Sequence, residues 1–446
     1  MDWRSFGWWR SLRDAAGAGQ QATVAAIPVA ARRIATGVGA VALGLAALLF
    51  ADLGDQAQHG FARLAKAYPY APLLLTPTAF AAVVWVTLRW LPEARGSGIP
   101  QVIAASRDPD PAGRDPLVSL RAGVTKLGLT LAMLGAGGSV GREGPTVQLS
   151  AALMVAIHRV LRVPISAGVV IAGGAAGVAA AFNTPLAGVA FAIEELAAAY
   201  EQKVAVLVMA AVMIAGLVSL GIAGDYVYFG AMRQTLAVST ILIVTPIAGV
   251  AGGLTGGLFS RSILAMLAPG STWVRYLKRR PVRLAAGCGL VAALLGIATG
   301  GATFGTGYEV TRLMVEGVAQ PLWFGPAKFV ASLATALSGA PGGVFAPSLA
   351  VGAGLGNLLT RLFPSSPAGP IILLGMIGYF VGVVRAPLTA VIIITETTAS
   401  RGLIIPLFAT ALIADLVSTL VCRERLYHGL AKPFLAKRTA ADAPPS

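Results

Sequence analysis

Gly141-Arg142-Glu143-Gly144-Pro145 is a glycine-framed turn that carries a carboxylate and leads into an apolar, helix-like run. Pro145 suits the first turn of a helix, where its missing N–H costs nothing. The glycines allow the backbone to approach a ligand closely and to aim N–H groups at it. A helix N-terminus has partial positive charge and unpaired N–H donors, so it favours an anion. Glu143 lies where such an anion would bind, which indicates a carboxylate that competes with a permeating anion and is displaced when it is protonated.

The composition of the chain is that of a membrane protein. Of its 446 residues, 56% are hydrophobic and 12% are charged, against about 25% charged in soluble domains, and its mean hydropathy is +0.76. The 54 glycines and 27 prolines fit short, broken or closely packed membrane helices. The net charge of +15 is also compatible with nucleic-acid binding. Basic cytoplasmic loops of a polytopic protein account for it better, so we expect no nucleic-acid partner.

Apolar runs are spread over the whole chain. Several of them are shorter than the ~20 residues that a helix needs to cross a bilayer. Short segments that are interrupted by glycine or proline and recur in two halves indicate a binding site near the middle of the membrane. The apolar runs are 34–53, 71–91, 124–136, 145–161, 165–182, 185–200, 204–222, 236–258, 285–299, 327–337, 344–362, 371–384, 387–395 and 403–421.

The two halves of the chain repeat at an offset of 202 residues. Chance similarity between apolar helices is a poor explanation when lysines, prolines and acids all match at one offset. A gap-free repeat of about 70 residues predicts two similar halves, but the sequence alone does not tell whether they are parallel or inverted. The matched pairs are Lys126/Lys328, Leu131/Leu333, Gly137/Gly339, Gly141/Gly343, Glu143/Phe345, Pro145/Pro347, Gly173/Gly375, Pro185/Pro387, Leu186/Leu388, Val189/Val391 and Glu194/Glu396.

Basic residues are concentrated in one set of polar links, whereas 52–58 and 223–228 contain acids and no Lys or Arg. The positive-inside rule therefore places both termini and the basic links in the cytoplasm. The basic residues of these links are Arg32, Arg33, Arg107, Arg114, Arg121, Lys278, Arg279, Arg280, Arg283, Arg423, Arg425, Lys432, Lys437 and Arg438.

The domain organisation that we expect has one large membrane domain. Residues 1–30 form a cytoplasmic or interfacial segment, because the Trp- and Arg-rich stretch 1–16 is typical of an amphipathic lead-in on the membrane surface. Residues 31–437 form the transmembrane domain, with a first repeat over about 31–222, a second over about 236–421 and a terminal short helix over about 425–437. The Ala/Pro-rich residues 438–446 are expected to be a disordered tail.

Three motifs, in this order and spacing, resemble the CLC family of chloride channels and chloride/proton antiporters. They are Gly96-Ser-Gly-Ile-Pro100, Gly141-Arg-Glu-Gly-Pro145 and Gly343-Val-Phe-Ala-Pro347, and the resemblance covers roughly residues 30–437. One such motif would be weak, but three in order inside a duplicated apolar chain are strong. The resemblance is to bacterial-type members without cytoplasmic CBS domains. It implies an all-α polytopic membrane protein with two inverted repeats of tilted and partly re-entrant helices, assembled as a homodimer in which each subunit has its own pathway.

The resemblance also implies an anion site formed by Ser97, Tyr427 and the backbone at Gly144, Val344 and Phe345. From the residues alone, Ser97 is also consistent with a turn or cap serine, and Tyr427 with a belt tyrosine at the membrane interface. An anion held by dipoles and hydroxyls, without a direct full positive charge, can bind and still leave. Some nitrate-preferring relatives have proline at the serine position, so Ser97 favours chloride, with bromide and nitrate as further candidate anions.

Glu143 and Glu195 are the predicted gating and proton-transfer residues. From the residues alone, Glu143 is also consistent with an acid favoured by the helix dipole, and the pair Glu194 and Glu195 with a solvated helix end. In exchangers of the resembled family the second acid of such a pair takes up cytoplasmic protons, so the resemblance implies Cl⁻/H⁺ antiport. A passive, voltage- or pH-gated chloride channel is the alternative. Gln101 and Ile103 stand where relatives often carry acids, which predicts an altered network around Glu195.

Arg142 is expected to tune the local field or to bind structural carbonyls rather than to act as an anion ligand. Glu396 and the repeated lysines Lys126 and Lys328 are interpreted as structural.

Other functional classes find no matching constellation. Gly137-Gly-Ser-Val-Gly141 matches the G-x-S-x-G of hydrolases, but that motif needs a strand–turn–helix context, and here it joins apolar helical runs. The two cysteines indicate no disulfide framework, the three scattered histidines indicate no metal site, and no P-loop pattern occurs. We therefore expect a multi-pass protein of the plasma (inner) membrane that carries chloride and protons, with neither enzymatic activity nor a cofactor.

Overall fold

The computed structural model describes residues 8–197, 202–224, 227–267 and 272–441, and the regular structure of these residues is helical. A π-helical turn, Ala192–Leu196, extends the seventh α-helix. The α-helices are α1 (Trp8–Ala67), α2 (Pro72–Trp90), α3 (Ile99–Arg107), α4 (Leu120–Leu134), α5 (Glu143–Val160), α6 (Ala167–Phe182), α7 (Pro185–Phe191), α8 (Gln202–Ala223), α9 (Val238–Ala265), α10 (Thr272–Lys278), α11 (Pro281–Ala298), α12 (Tyr308–Val315), α13 (Phe324–Leu337), α14 (Phe345–Leu359), α15 (Ala368–Val384), α16 (Pro387–Thr398), α17 (Ile404–Val421) and α18 (Leu426–Ala441).

The apolar helices of the described residues fall into two length classes. Within the part of the chain that the structure describes, six segments are long and apolar enough to cross a membrane, by length and composition. Shorter apolar helices, including α6, α13, α15 and α16, have 10–17 residues, as the short apolar runs in the sequence predict. The long segments are Ala30–Ala67, Pro72–Trp90, Ala205–Ala223, Val238–Ala265, Pro281–Ala298 and Arg401–Val421.

Helices α6 and α15 form the centre of the two halves. Both are apolar on every face, and every residue after the first is buried in each of them. A helix that is apolar all round belongs inside a protein or a membrane rather than at a water-facing surface. With a rise of about 1.5 Å per residue, 16 or 17 residues are too short to cross the bilayer alone, so these helices are enclosed by longer neighbours.

Glycines bring α15 into backbone contact with α9 and α14. A Cβ atom added at Gly252 of α9 would lie 2.2 Å from the carbonyl carbon of Gly378 in α15. A Cβ atom added at Gly375 would lie 2.3 Å from the backbone nitrogen of Gly356 in α14. Small residues permit this approach between membrane helices, which explains part of the high glycine content.

We expect Gly252→Ala to destabilise the protein, by about 1–3 kcal/mol or more, since overpacking against backbone has no flexible side chain to yield. Gly287→Ala in α11 is the matched control, because a Cβ atom there meets nothing within 4 Å and alanine is the better helix former. The measurement is the thermal midpoint of both variants in the same detergent. Equal midpoints would contradict the close packing of α9 and α15.

A short antiparallel bridge joins the two repeats at equivalent residues. The Gly141 N–H donates to the Gly343 carbonyl at 2.7 Å, and the Gly343 N–H donates to the Gly141 carbonyl at 2.8 Å. Because residues 202 apart pair with each other, a local two-fold axis passes through the bridge and the equivalent segments run in opposite directions. The caps repeat as well, since Asn183 after α6 and Arg385 after α15 are both left-handed, with φ of 56° and 61°.

The chain therefore has the all-α, polytopic, two-repeat architecture that the sequence predicts, with differences at its polar parts. The link after the second apolar run contains the buried helix α3, and the helix α12 falls between predicted runs. Residues 1–7 of the predicted N-terminal segment lie outside the described residues, and the chain is helical from Trp8 onwards. Helix α18 continues to Ala441, into the segment predicted as a tail, of which residues 442–446 lie outside the described part.

Candidate functional site

Four helix N-termini meet at the bridge between the repeats. Helices α5 and α14 begin two residues after Gly141 and Gly343. Helix α3 approaches so closely that a Cβ atom added at Gly98, its cap, would lie 2.6 Å from the Gly144 carbonyl oxygen. Helix α18 joins them through the ring of Tyr427, whose centroid lies 5.9 Å from that of Phe345. Free N–H groups and the positive ends of helix dipoles at one place favour an anion.

Glu143 is the first residue of α5 and is fully buried. Its Oε2 accepts a hydrogen bond from the Ala346 N–H in the first turn of α14 at 3.3 Å, whereas its Oε1 has no hydrogen-bond partner in the described residues. The carboxylate thus lies at the N-terminus of the helix from the other repeat. A carboxylate that binds one N–H and leaves its other oxygen unpaired is less stabilised than a fully paired one.

Ser97 and Tyr427 supply hydroxyl groups next to these helix starts. A Cβ atom added at Gly144 would lie 2.7 Å from the Ser97 Oγ, which places that hydroxyl against the first turn of α5. The fully buried Tyr427 directs its hydroxyl towards Ser97 and interacts electrostatically with Glu143 and Glu195. Its oxygen has no partner at full hydrogen-bond geometry. An unpaired buried hydroxyl is unfavourable, and a bound anion would satisfy it.

Phe345 occupies the place in α14 that Glu143 occupies in α5. Its ring is fully buried and packs edge-on against Phe380, with centroids 5.0 Å apart. It also contacts Phe182 and Phe191. The second repeat therefore contributes only backbone groups, at Val344 and Phe345, and a fixed aromatic wall, while the first repeat contributes the ionisable side chain.

Arg142 points away from this site. Its guanidinium donates to the Ala51 carbonyl at 2.8 Å and to the Asp55 carboxylate at 2.9 Å, both in α1. The expectation that Arg142 binds structural carbonyls is confirmed. The pair with Asp55 also places the start of α5 beside the acidic stretch 52–58, which carries no Lys or Arg.

The loop that presents Ser97 is held by buried polar side chains. Lys126 Nζ donates to the carbonyls of Gly96 at 2.6 Å and Arg95 at 3.1 Å. Gln101, where the resembled family often has an acid, donates to the Arg95 carbonyl at 2.6 Å. Lys328 does the same in the second repeat, where its Nζ donates to carbonyls of the loop before α12, those of Thr303 and Gly305. The structural interpretation of both lysines agrees with these contacts.

Glu194 and Glu396 cap each other's repeat. The Glu194 carboxylate accepts the N–H groups of Leu388 and Thr389, at 2.9 and 2.6 Å, at the start of α16. In return, the Glu396 carboxylate accepts the N–H groups of Leu186 and Ala187, at 3.3 and 3.0 Å, at the start of α7. This reciprocal capping pairs N–H groups that have no partner within their own helix at two helix starts. It explains why both acids recur at the repeat offset.

Glu195 lies in the π-helical turn next to Glu194 but caps no helix. Its side chain is fully buried, and its Oε1 lies 3.3 Å from Nδ1 of His428 in α18. π-Helical turns are frequently found at functional sites. The sequence interpretation set His428 aside with the scattered histidines. Its position directly after Tyr427 was the signal that could have placed it near the site.

The hydrolase-like serine has an ordinary structural environment. The Ser139 hydroxyl lies 2.9 Å from the Ser332 hydroxyl, and its N–H donates to the Thr335 hydroxyl. These contacts tie the loop before α5 to α13.

Comparisons with known proteins give one consistent result. Residues 79–419 match the family described as voltage gated chloride channel. The chain is 31% identical over 417 residues to the H(+)/Cl(-) exchange transporter ClcA of Yersinia pestis bv. Antiqua (strain Angola), with 86% of this chain and 84% of that protein covered. A protein of the same name from Yersinia pseudotuberculosis serotype IB (strain PB1/+) is 31% identical over 398 residues, with 83% and 80% covered.

Solved structures share the fold. A slow cyanobacterial Cl⁻/H⁺ antiporter superimposes with a TM-score of 0.79 at 23% identity, covering 92% of this chain and 99% of that one. A eukaryotic CLC transporter gives 0.70 at 22% identity, with 90% and 74% covered. A CLC-type fluoride/proton antiporter gives 0.73 at 20% identity, with 88% and 96% covered. At these identities the likeness concerns the fold alone.

Proposed function

Because this chain belongs to the voltage-gated chloride channel (CLC) family, we propose that it exchanges chloride for protons across a membrane. The observation that carries this proposal is a pair of buried carboxylates, Glu143 at the α14 N-terminus and Glu195 beside His428. A passive anion pathway needs helix dipoles and hydroxyls. It has no use for a second buried acid beyond them, and buried acids in membranes commonly mark proton pathways.

Chloride binds, in this proposal, among the starts of α3, α5, α14 and α18. The Ser97 and Tyr427 hydroxyls and the N–H groups at Gly144, Val344 and Phe345 replace part of its hydration shell. These donors carry partial charges only, and Arg142, the nearest full positive charge in sequence, is bound to α1. Weak, distributed stabilisation lets an anion enter and leave.

Glu143 is the gate of this pathway. When it is ionised, its carboxylate takes the anion position at the α14 N-terminus, as its hydrogen bond from Ala346 supports. When it is protonated, it loses its attraction to the helix dipole, and an anion replaces it. Each displacement therefore moves one proton on the carboxyl group in exchange for anions.

Glu195 is the acid that receives protons from the cytoplasmic side. Its neighbours support this sidedness, because Arg425 donates to the carbonyl of the adjacent Glu194 at 3.2 Å and belongs to a basic link that the positive-inside rule places in the cytoplasm. Glu143 lies at the opposite side, beside Arg142 and the acidic stretch that contains Asp55. The two acids thus serve the two membrane faces.

The proposal includes an inner-membrane location, cytoplasmic termini and a homodimer with one pathway per subunit. Bromide and nitrate are expected as alternative anions, since the site recognises charge and size through neutral donors.

The test of exchange is chloride accumulation driven by a proton gradient. Purified protein is reconstituted into vesicles that are acidic inside, with the membrane potential held at zero by potassium and valinomycin. Antiport predicts uptake of labelled chloride above its equilibrium level. The alternative, a passive channel, predicts equilibration without accumulation, and that result would overturn the proposal.

Ser97→Pro is expected to shift the anion preference towards nitrate. Proline removes the hydroxyl that lies against Gly144, so the site loses a donor that suits the compact chloride ion. The measurement is the ratio of chloride to nitrate flux in vesicles, and we expect a fall of about tenfold, equivalent to one lost hydrogen bond of about 1.4 kcal/mol. Ser139→Ala, in the loop before α5, serves as the control, and an unchanged ratio in Ser97→Pro would exclude Ser97 as the selector.

A further inference from the structure

We propose that His428 transfers protons between the aqueous phase and Glu195. The proposal rests on the proposed role of Glu195 and adds the residue that connects it to water. Nδ1 of His428 lies 3.3 Å from the Glu195 Oε1, and the His428 side chain is 30% exposed whereas that of Glu195 is 0% exposed. The imidazole is therefore in contact with both the buried acid and the surface of the protein.

Glu195 has no other hydrogen-bonding route in the described part of the chain. Neither of its carboxylate oxygens has a partner at full hydrogen-bond geometry, and the same holds for the His428 Nδ1 that faces it. At 3.3 Å a small rotation of the ring completes the bond. Unpaired polar groups are unfavourable inside a protein, so a donor and an acceptor that face each other just beyond ideal geometry form a contact that can open and close.

The other ionisable groups around His428 are engaged or unsuited to proton transfer. Lys432 pairs with Glu424 at 2.5 Å, and Arg425 donates to the Glu194 carbonyl at 3.2 Å. The Glu194 carboxylate is bound by the α16 N-terminus. The helices packed against α18 add Arg107 in α3, Arg261 in α9 and Tyr379 in α15.

Arginine stays protonated in proteins, and tyrosine ionises only in strongly alkaline solution. Imidazole is the side chain that ordinarily gains and loses a proton near neutral pH. His428 is thus the neighbour of Glu195 whose chemistry suits a relay.

The proposed step involves protons only. A protonated His428 ring breaks its Nδ1–H bond as the Glu195 Oε1 forms an O–H bond, which leaves a neutral ring and a neutral carboxylic acid. Glu195 passes this proton on into the protein and becomes a carboxylate again. The ring rotates, takes up a proton from water or buffer at the bare nitrogen, and returns to face that carboxylate. Transfer in the opposite direction reverses the same steps.

Two isosteric variants test the relay. His428→Asn keeps a polar side chain that cannot carry a proton, and we expect proton flux to fall by about 10²-fold or more, as for loss of a general acid–base group, with chloride flux nearly unchanged. His428→Asp has the same size as His428→Asn and can carry a proton. We therefore expect partial recovery of proton flux, with its pH profile displaced towards acid. Proton flux is followed with a pH electrode and chloride flux with a chloride electrode in the same vesicles.

The outcomes separate this proposal from the proposed function. If the wild-type protein moves no protons against their gradient, the exchange proposal fails. If it does, and Glu195→Gln abolishes that movement while His428→Asn keeps wild-type proton flux, the relay alone is overturned. Equal proton flux in His428→Asp and His428→Asn would also overturn the relay, since replacing a merely structural histidine would affect both variants alike. Where His428→Asn does not fold, as judged by chloride flux, His428→Gln replaces it.

Discussion

Glu143→Gln is expected to leave chloride moving and to abolish proton coupling. The amide has the shape of the protonated acid and can still accept the hydrogen bond from the Ala346 N–H, but it cannot ionise. It therefore neither competes with chloride at the α14 N-terminus nor carries a proton. We expect proton flux to fall by about 10²-fold or more, the range for loss of a general acid–base group, while chloride flux stays within a few fold of the wild type. The measurement is simultaneous chloride and proton flux in vesicles.

Glu396→Gln is the matched control for this variant. It is the same change in a partly buried acid, and its amide oxygen can still accept hydrogen bonds from Leu186 or Ala187 at the start of α7. Coupling should survive there, because Glu396 lies at a helix cap rather than at the proposed anion site. Retention of proton coupling in Glu143→Gln would exclude Glu143 as the gate.

Glu195→Gln is expected to lose coupled proton movement while anions still pass. Glu195 is buried in the π-helical turn and contacts His428. Glu143, in contrast, accepts a hydrogen bond at the start of α14. A neutral amide in place of Glu195 interrupts the proton route without altering the donors of the anion site. We expect a loss of proton flux of about 10²-fold or more, measured as above, and a nearly wild-type chloride flux.

Glu194→Gln is the matched control for Glu195→Gln, because it makes the same change in the adjacent acid. Glu194 accepts two N–H groups and the Thr389 hydroxyl at the start of α16. Its neutral variant should keep coupling and lose stability by about 0.5–2 kcal/mol, the range for a weakened helix cap. If Glu194→Gln lost coupling and Glu195→Gln kept it, the proton role would belong to Glu194 and the assignment to Glu195 would be wrong.

The architecture was predictable because it follows from patterns that are visible in the sequence. Apolar runs bounded by glycine and proline define the membrane helices, and the offset of 202 residues defines the repeat. The same patterns placed Glu143 at a helix start. Helices α3 and α12 were harder to predict from the sequence, because both are short and mix polar and apolar residues. Helix α3 owes its burial to neighbours that are distant in the chain.

The site was predictable only in part, because several of its contacts join residues far apart in the chain. The sequence matched Glu194 with Glu396 but could not show that each caps the other's half. It likewise could not separate the capping Glu194 from the uncapped Glu195, or bring His428 to it across more than two hundred residues. Such contacts depend on helix packing, and spacing along the chain does not encode them.

The central claim is that chloride and protons move in exchange, and uphill proton movement tests it most directly. Vesicles that contain the purified protein are loaded with high chloride, placed in low chloride at equal pH, and held at zero membrane potential while the external pH is recorded. Outward chloride movement should draw protons inward, so the external solution becomes more alkaline until a proton ionophore collapses the gradient. Chloride efflux with no change in external pH would contradict the account and leave a passive anion channel.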